Sequence, residues 1–462
     1  MATYKDVHGL SMTATSQEAV DAFDRMVDQF FEYSPQTGAA LQDALDIDPG
    51  LVMGHCIQGY FLQLMGNADV LDRAEAVLAE AEARAEGATE RERTHVAALG
   101  AWCRRDFSGA LARWESILID HPRDVFALKL AQFGHLYLGD VANIRDCIAR
   151  VMPAWDEGVP HYSNVLGMRA FGLEESGDYP AAEAAGKRAI EIKPNDPYAV
   201  HAVAHVMEMQ DRPREGIDWI EGTEPHWADC NNYRYHLWWH CSLYHLDRGE
   251  FDEVLRLYDT RIRADKNDQI RDIANAVALL MRLEFRDVDV GDRWTELAEK
   301  CAPRINEHLL PFHDTHFLLA VACGGRRDAA ERMIDSMQEY VATWNATSVP
   351  VMREVSIPLA KSVLAYCDRD YERAVDLMMP IRYGLQRIGG SHAQRDIYAE
   401  MLIESALKGG QHALARALLA ERSALKPGNP HVWKTYARAL EGVGDAAGAD
   451  DALDRAKTLL AA

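Results

Sequence analysis

The chain has no excess of positive charge, no long apolar run and no closely paired cysteines, and each absence closes off a class of function. Lys and Arg total 49 against 72 Asp and Glu, a formal charge of -23. Such a balance argues against a general nucleic-acid or anionic-membrane binder, a local basic patch aside. No stretch approaches the roughly 18 unbroken apolar residues of a membrane span. The opening MATYKDVHGLSMTATSQEAV lacks an apolar core, so it reads as neither signal peptide nor anchor. Eight cysteines are scattered without a CxxC, the pattern of reduced core residues in a cytoplasmic protein. HExxH, a nucleophile elbow, a Walker loop and a dinucleotide fingerprint are all missing. Strands have little support, because no β-branched alternating run occurs.

What is present is repetition. Around Leu166–Ala170, Gly177-Asp178-Tyr179, Ala182, Ala189 and Pro194 the sequence reads as helix, tight turn, second helix and stop. Ala170 and Ala182 let the two helices approach, Gly177 supplies the positive φ of the turn, and Pro194 ends the second helix. The placement resembles a tetratricopeptide repeat, whose unit is about 34 residues. The turn signature recurs at Gly66-Asn67, Arg105-Asp106, Gly139-Asp140, Asp211-Arg212 and Gly249-Glu250. It returns at Gly325-Arg326, Arg369-Asp370, Gly410-Gln411 and Gly444-Asp445. The reading is an all-α, tetratricopeptide-like helical-repeat solenoid of about ten helical pairs, one array over residues 1–462. Residues 221–235 and 286–311 break the rhythm and read as irregular insertions.

Helix faces in such arrays are ordinarily filled with Ala, Leu and small spacers. Two histidine pairs depart from that: His201/His205 with Glu208, and His236/His240 with Trp239. An i, i+4 pair projects from one face of a helix, so each pair addresses one point. Offsetting from the Gly177-Asp178 turn puts His201, His205 and Glu208 in the first helix of one unit. His236, Trp239 and His240 fall in the first helix of the next. In tetratricopeptide repeats these helices line the concave groove, so the two pairs are expected to share one pocket. Trp238 holds an ordinary packing position, whereas Trp239 is the candidate for the groove.

Three passages together resemble the tetratricopeptide-repeat protein 38 family. They are His201-Ala-Val-Ala-His205-Val-Met-Glu208-Met-Gln210, Tyr235-His236-Leu-Trp-Trp-His240 and Gly389-Gly390-Ser391-His392-Ala393-Gln394-Arg395-Asp396. The resemblance runs through nearly the whole chain and implies an all-helical, soluble repeat protein; it implies no settled activity. In the third passage Ser391 suits a helix cap, and Arg395 offers a two-point fork for a carboxylate or phosphate.

The histidines admit several chemistries. Neutral imidazoles suit a divalent transition metal, with His201, His205, His236 and His240 as ligands. A pocket for a small molecule or short peptide would use His201, His205, Glu208, His236, Trp239 and His240, with Arg395 fixing an anionic group. A hydrogen-bonded structural lining needs no ligand at all. The leading expectation is the small-molecule or peptide pocket. An enzyme working by metal assistance or histidine acid–base chemistry and a protein-interaction scaffold are the alternatives. His313-Asp314-Thr315-His316 is a further acid–base candidate, though after Pro311 it also fits a first helical turn. Oligomeric state, ligand identity and closure of the superhelix are not encoded in any local pattern.

Overall fold

The turns explain the repeat. In the computed structural model, which describes residues 2–461, all ten first members of the turn signature have positive φ, from 54° at Asp211 to 83° at Gly444. That left-handed step lets the chain reverse after one helix, and Gly adopts it without a Cβ penalty. At Gly177-Asp178, the amide of Asp178 reaches back to the carbonyl of Leu173 at 2.9 Å and closes the first helix. The aspartate that follows the turn residue then caps the second helix. Asp106 accepts from the amide of Gly109, Asp140 from Asn143, Asp178 from Ala181, Asp370 from Arg373 and Asp445 from Gly448, at 2.9–3.4 Å. One dipeptide thus stops one helix and starts the next.

The result is an all-α array of tetratricopeptide-like helical hairpins. Two turns escape the signature: Tyr33 (φ 54°) after Gln17–Phe31, and Asp287 (φ 56°) after Ile270–Glu284. The second of these lies in the stretch 286–311. That stretch holds the helix Arg293–Cys301 and a short 3-10 turn, Ala302–Arg304. Residues 221–235 span the end of helix Pro213–Thr223, a 3-10 turn, Glu224–His226, with Trp227 and Cys230 buried beside it, and the start of helix Tyr233–Asp247. The expectation of no strands needs one correction: Ala2–Lys5 and Ser11–Ala14 form a two-stranded antiparallel hairpin. At four residues each, the strands are too short to show a periodicity.

Contacts divide the chain into two compact units. The first runs to Val203 and takes in Thr223–Arg234 and Asn345–Ser348. Its core is built on Trp114, whose indole donates to the Tyr60 hydroxyl (3.2 Å), which itself donates to the His95 carbonyl (2.7 Å). Arg91 and His95 both meet the buried Asp124, at 2.6 and 2.9 Å. Glu92 caps its own helix at Thr89 and accepts from Thr13, tying the N-terminal hairpin down. Lys129 is buried here with its ammonium 3.1 Å above the Tyr198 ring, and burial holds its pKa well below the ordinary lysine value.

The second unit comprises Ala204–Gly222, Tyr235–Trp344 and the chain from Val349 onward. It curls on itself. The amide of Gly428 donates to Asp211, 217 residues earlier, at 2.7 Å. Helix Ile270–Glu284 meets helix His392–Lys408, with Arg282 donating to the Ala393 carbonyl (2.7 Å). Arg286, one turn beyond, bridges to Glu400 at 2.9 Å. This curvature brings polar side chains from distant hairpins into one buried region.

Candidate functional site

His205, Glu208, His236, Trp239 and His240 all lie in the second unit, and all are buried. Helix Pro197–Met209 carries the first two and helix Tyr233–Asp247 the other three. The ring centroids of His205 and His240 are 4.5 Å apart, and those of His236 and His240 4.8 Å. His236 stacks on Trp239 at 5.4 Å with 11° between planes. One ring nitrogen from each of His205, His236 and His240 lies within 4.8 Å of the others. The i, i+4 expectation therefore holds for this trio. His201 stands one turn before His205 on the same helix but belongs to the first unit. There its ring packs against Phe171 and Tyr233, both at 5.5 Å, and Tyr198 at 5.9 Å.

Hydrogen bonds set the chemistry of the rings. Nδ1 of His240 is 3.1 Å from an Oε of Glu208. Burial pushes the Glu208 carboxyl up. The hydrogen bond from His240 and the charges of Lys426 and Arg282 outweigh that and hold its pKa below the ordinary value. An ionised carboxylate can only accept, so Nδ1 of His240 carries a proton, and in a neutral His240 ring Nε2 then carries the lone pair. His236 is set the opposite way. Its Nδ1 faces the amide nitrogen of Asn275 at 2.9 Å. Asn275 is oriented in turn by Gln394, which donates to the Asn275 oxygen at 3.4 Å. The Gln394 oxygen is already turned to the amide of Ser391 in a capping box. With Nδ1 accepting, the proton of a neutral His236 ring sits on Nε2. Burial, then the neighbouring His240, holds the His236 pKa well below 6.5; the same two causes, joined by His392, act on His205. Both rings are neutral at physiological pH.

Trp239 adds a donor. It is fully buried, and among the described residues its indole N–H has no hydrogen-bond partner. A buried donor left so costs about 1–3 kcal/mol. Arg282 sits with its guanidinium 5.8 Å from the same ring. Trp238, by contrast, is buried beneath the guanidinium of Arg261 at 4.6 Å, a packing role.

The Gly389–Asp396 passage does two jobs. Gly389 and Gly390 take φ of 89° and 80°, and Ser391 caps helix His392–Lys408. Arg395 donates to the Gly390 carbonyl and so braces that turn. Asp396 forms a two-point ion pair with Arg422, both contacts at 2.7 Å. His392 reaches the trio, with its ring 5.9 Å from His205. His313-Asp314-Thr315-His316 lies in the first turns of helix Pro311–Cys323. Asp314 meets His308 at 3.1 Å, and Nδ1 of His316 donates to the Phe312 carbonyl at 2.8 Å. Asn275, Arg282 and Gln394 were not singled out in the sequence. The available signal was Asn275 and Arg282 bounding the apolar run AVALLM within helix Ile270–Glu284.

No protein-family model matches the chain. Among solved structures it is similar to a human IFIT1 dimer with m7Gppp-AAAA: 13% identity, 98% of this chain and 96% of that one, TM-score 0.41. It is also similar to yeast Tom70, at 12% identity over 94% of this chain and 96% of that one, TM-score 0.35. A third likeness is to Naa15/Naa10 bound to HypK-THB, at 14% identity over 96% of this chain and 63% of that one, TM-score 0.25. Among the described residues, no helix is long and apolar enough to cross a membrane.

Proposed function

We propose that this chain is a helical-repeat binding protein of the tetratricopeptide-repeat protein 38 type that takes a small polar molecule at His236, Trp239 and His240. The observation that carries the reading is the pair of Nδ1 contacts, a carboxylate oxygen on His240 and an amide nitrogen on His236, which favours opposite tautomers. Glu208 makes Nε2 of His240 an acceptor, while Asn275 makes Nε2 of His236 a donor. A molecule with an N–H beside a C=O, such as a cyclic amide, matches that pair. Its carbonyl can also take the buried Trp239 N–H. The -23 charge sets the protein against polyanions as partners. All eight cysteines are unpaired, which supports a reducing, cytoplasmic setting.

Calorimetric titration with 2-pyrrolidinone, uracil and hypoxanthine tests this. Binding of at least one is expected, with loss in both His240→Phe and His236→Phe. No heat from any of the three, or binding that survives both substitutions, contradicts it.

A second reading has support of its own, because three neutral imidazoles converging within 4.8 Å can hold a divalent transition metal. Glu208 would then orient His240 as carboxylates commonly orient metal-binding histidines. That reading requires Asn275 to turn its oxygen, not its nitrogen, toward His236. Elemental mass spectrometry of the wild type and His205→Ala/His240→Ala separates the two. Stoichiometric metal lost in the variant establishes the metal site and overturns the first reading.

A further inference from the structure

A second cluster in the same unit has different chemistry. Cys323 ends helix Pro311–Cys323, Cys367 ends helix Ile357–Cys367, and Met281 lies near the end of helix Ile270–Glu284. The two thiol sulfurs are 3.6 Å apart, and the Cys323 sulfur is 3.8 Å from the Met281 thioether. We propose that Met281, Cys323 and Cys367 bind a copper(I) ion.

Sulfur ligands lie about 2.3 Å from a bound d¹⁰ ion, so two of them on one centre are about 3.8–4.0 Å apart in tetrahedral or trigonal arrangement. The observed spacings need a shift of a few tenths of an ångström or less. Two thiolates and a thioether form a soft donor set, which selects copper(I) over harder divalent ions. Met281 is fully buried, whereas both cysteines are half-buried, so the ion enters from the thiol side. Each cysteine binds the ion as a thiolate, giving up its proton. Binding releases two protons: one copper(I) ion and two thiols give a complex with one net negative charge. No electrons are transferred. Glu284 opposes that charge. Lys408, which donates to the Tyr366 hydroxyl at 2.9 Å, partly offsets the Glu284 charge.

The site is distinct from the histidine trio, and the experiment keeps them apart. Fully reduced protein, its thiols counted by titration, is mixed without oxygen with the copper(I)–bathocuproine disulfonate complex, whose colour reports copper withdrawn. The wild type and His205→Ala/His240→Ala are expected to withdraw one equivalent. Cys323→Ser and Cys367→Ser are expected to lose that uptake. X-ray absorption should show three sulfur neighbours in the wild type and two in Met281→Leu. Uptake undiminished in the serine variants overturns the proposal, as does its absence in wild-type protein with all thiols free. Uptake lost only in the histidine variant also overturns it.

Discussion

Arg422→Ala is expected to destabilise the second unit by about 1–3 kcal/mol, the cost of leaving the half-buried Asp396 carboxylate without its partner. Arg422 holds Asp396 by two contacts of 2.7 Å and Glu400 by one of 3.0 Å. Arg286 supports Glu400 from the other side at 2.9 Å. Burial pushes both carboxyls up. The Arg422 charge and hydrogen bonds bring Asp396 well below its ordinary pKa, and Arg286 with Arg422 brings Glu400 to about 2. Both are therefore ionised at neutral pH while Arg422 is in place. An Arg422→Met/Asp396→Leu double variant should recover much of the stability, because it removes the stranded charge along with its partner. Urea unfolding followed by circular dichroism measures both. A loss below about 1 kcal/mol in Arg422→Ala would show the network to be solvated and structurally idle.

Acid should unfold the second unit well before Asp396 and Glu400 titrate. Burial is the largest cause holding His313 at about 3 and His316 at about 4, while an unfolded histidine titrates near 6.5. A depressed folded pKa contributes stability that is fully present above 6.5. It is lost as pH falls from there toward the folded value, because only the unfolded chain takes up the proton. Each such ring costs about 1.4 kcal/mol per pH unit, so His316 alone removes about 3 kcal/mol between pH 6.5 and 4. His431, held well below 6.5 by burial, adds to the same window. Glu400 begins to act only at lower pH. Melting temperature should therefore fall steeply between pH 6.5 and 4.5, and less steeply in His316→Phe. Equal slopes in wild type and His316→Phe would mean that His316 charges inside the fold.

The frame was legible because one dipeptide performs two local tasks. Gly177-Asp178 and the counterparts that share its Gly or its Asp supply a left-handed turn, a helix cap or both. Tyr33 and Asp287 take the same left-handed step, but Ser34 and Val288 follow them in place of a capping aspartate, so their hairpins were hidden. The histidine pairs were legible for the same reason: four-residue spacing fixes a helix face. Their partners were not. Asn275 is 39 residues from His236, and Gln394 is 119 from Asn275, joined only by the curl of helices that no local pattern encodes. Arg395 shows the converse, since a side chain suited to anions is turned onto the Gly390 carbonyl of its own loop.

The opposed tautomers of His236 and His240 are tested most directly by long-range proton–nitrogen NMR on protein labelled with ¹⁵N at histidine, the two rings assigned by substitution. The expected spectrum places a proton on Nδ1 of His240 and on Nε2 of His236, with the His236 ring neutral at pH 7. The proton on Nδ1 of His236, or none on Nδ1 of His240, would contradict the donor–acceptor pair on which the proposed binding site depends.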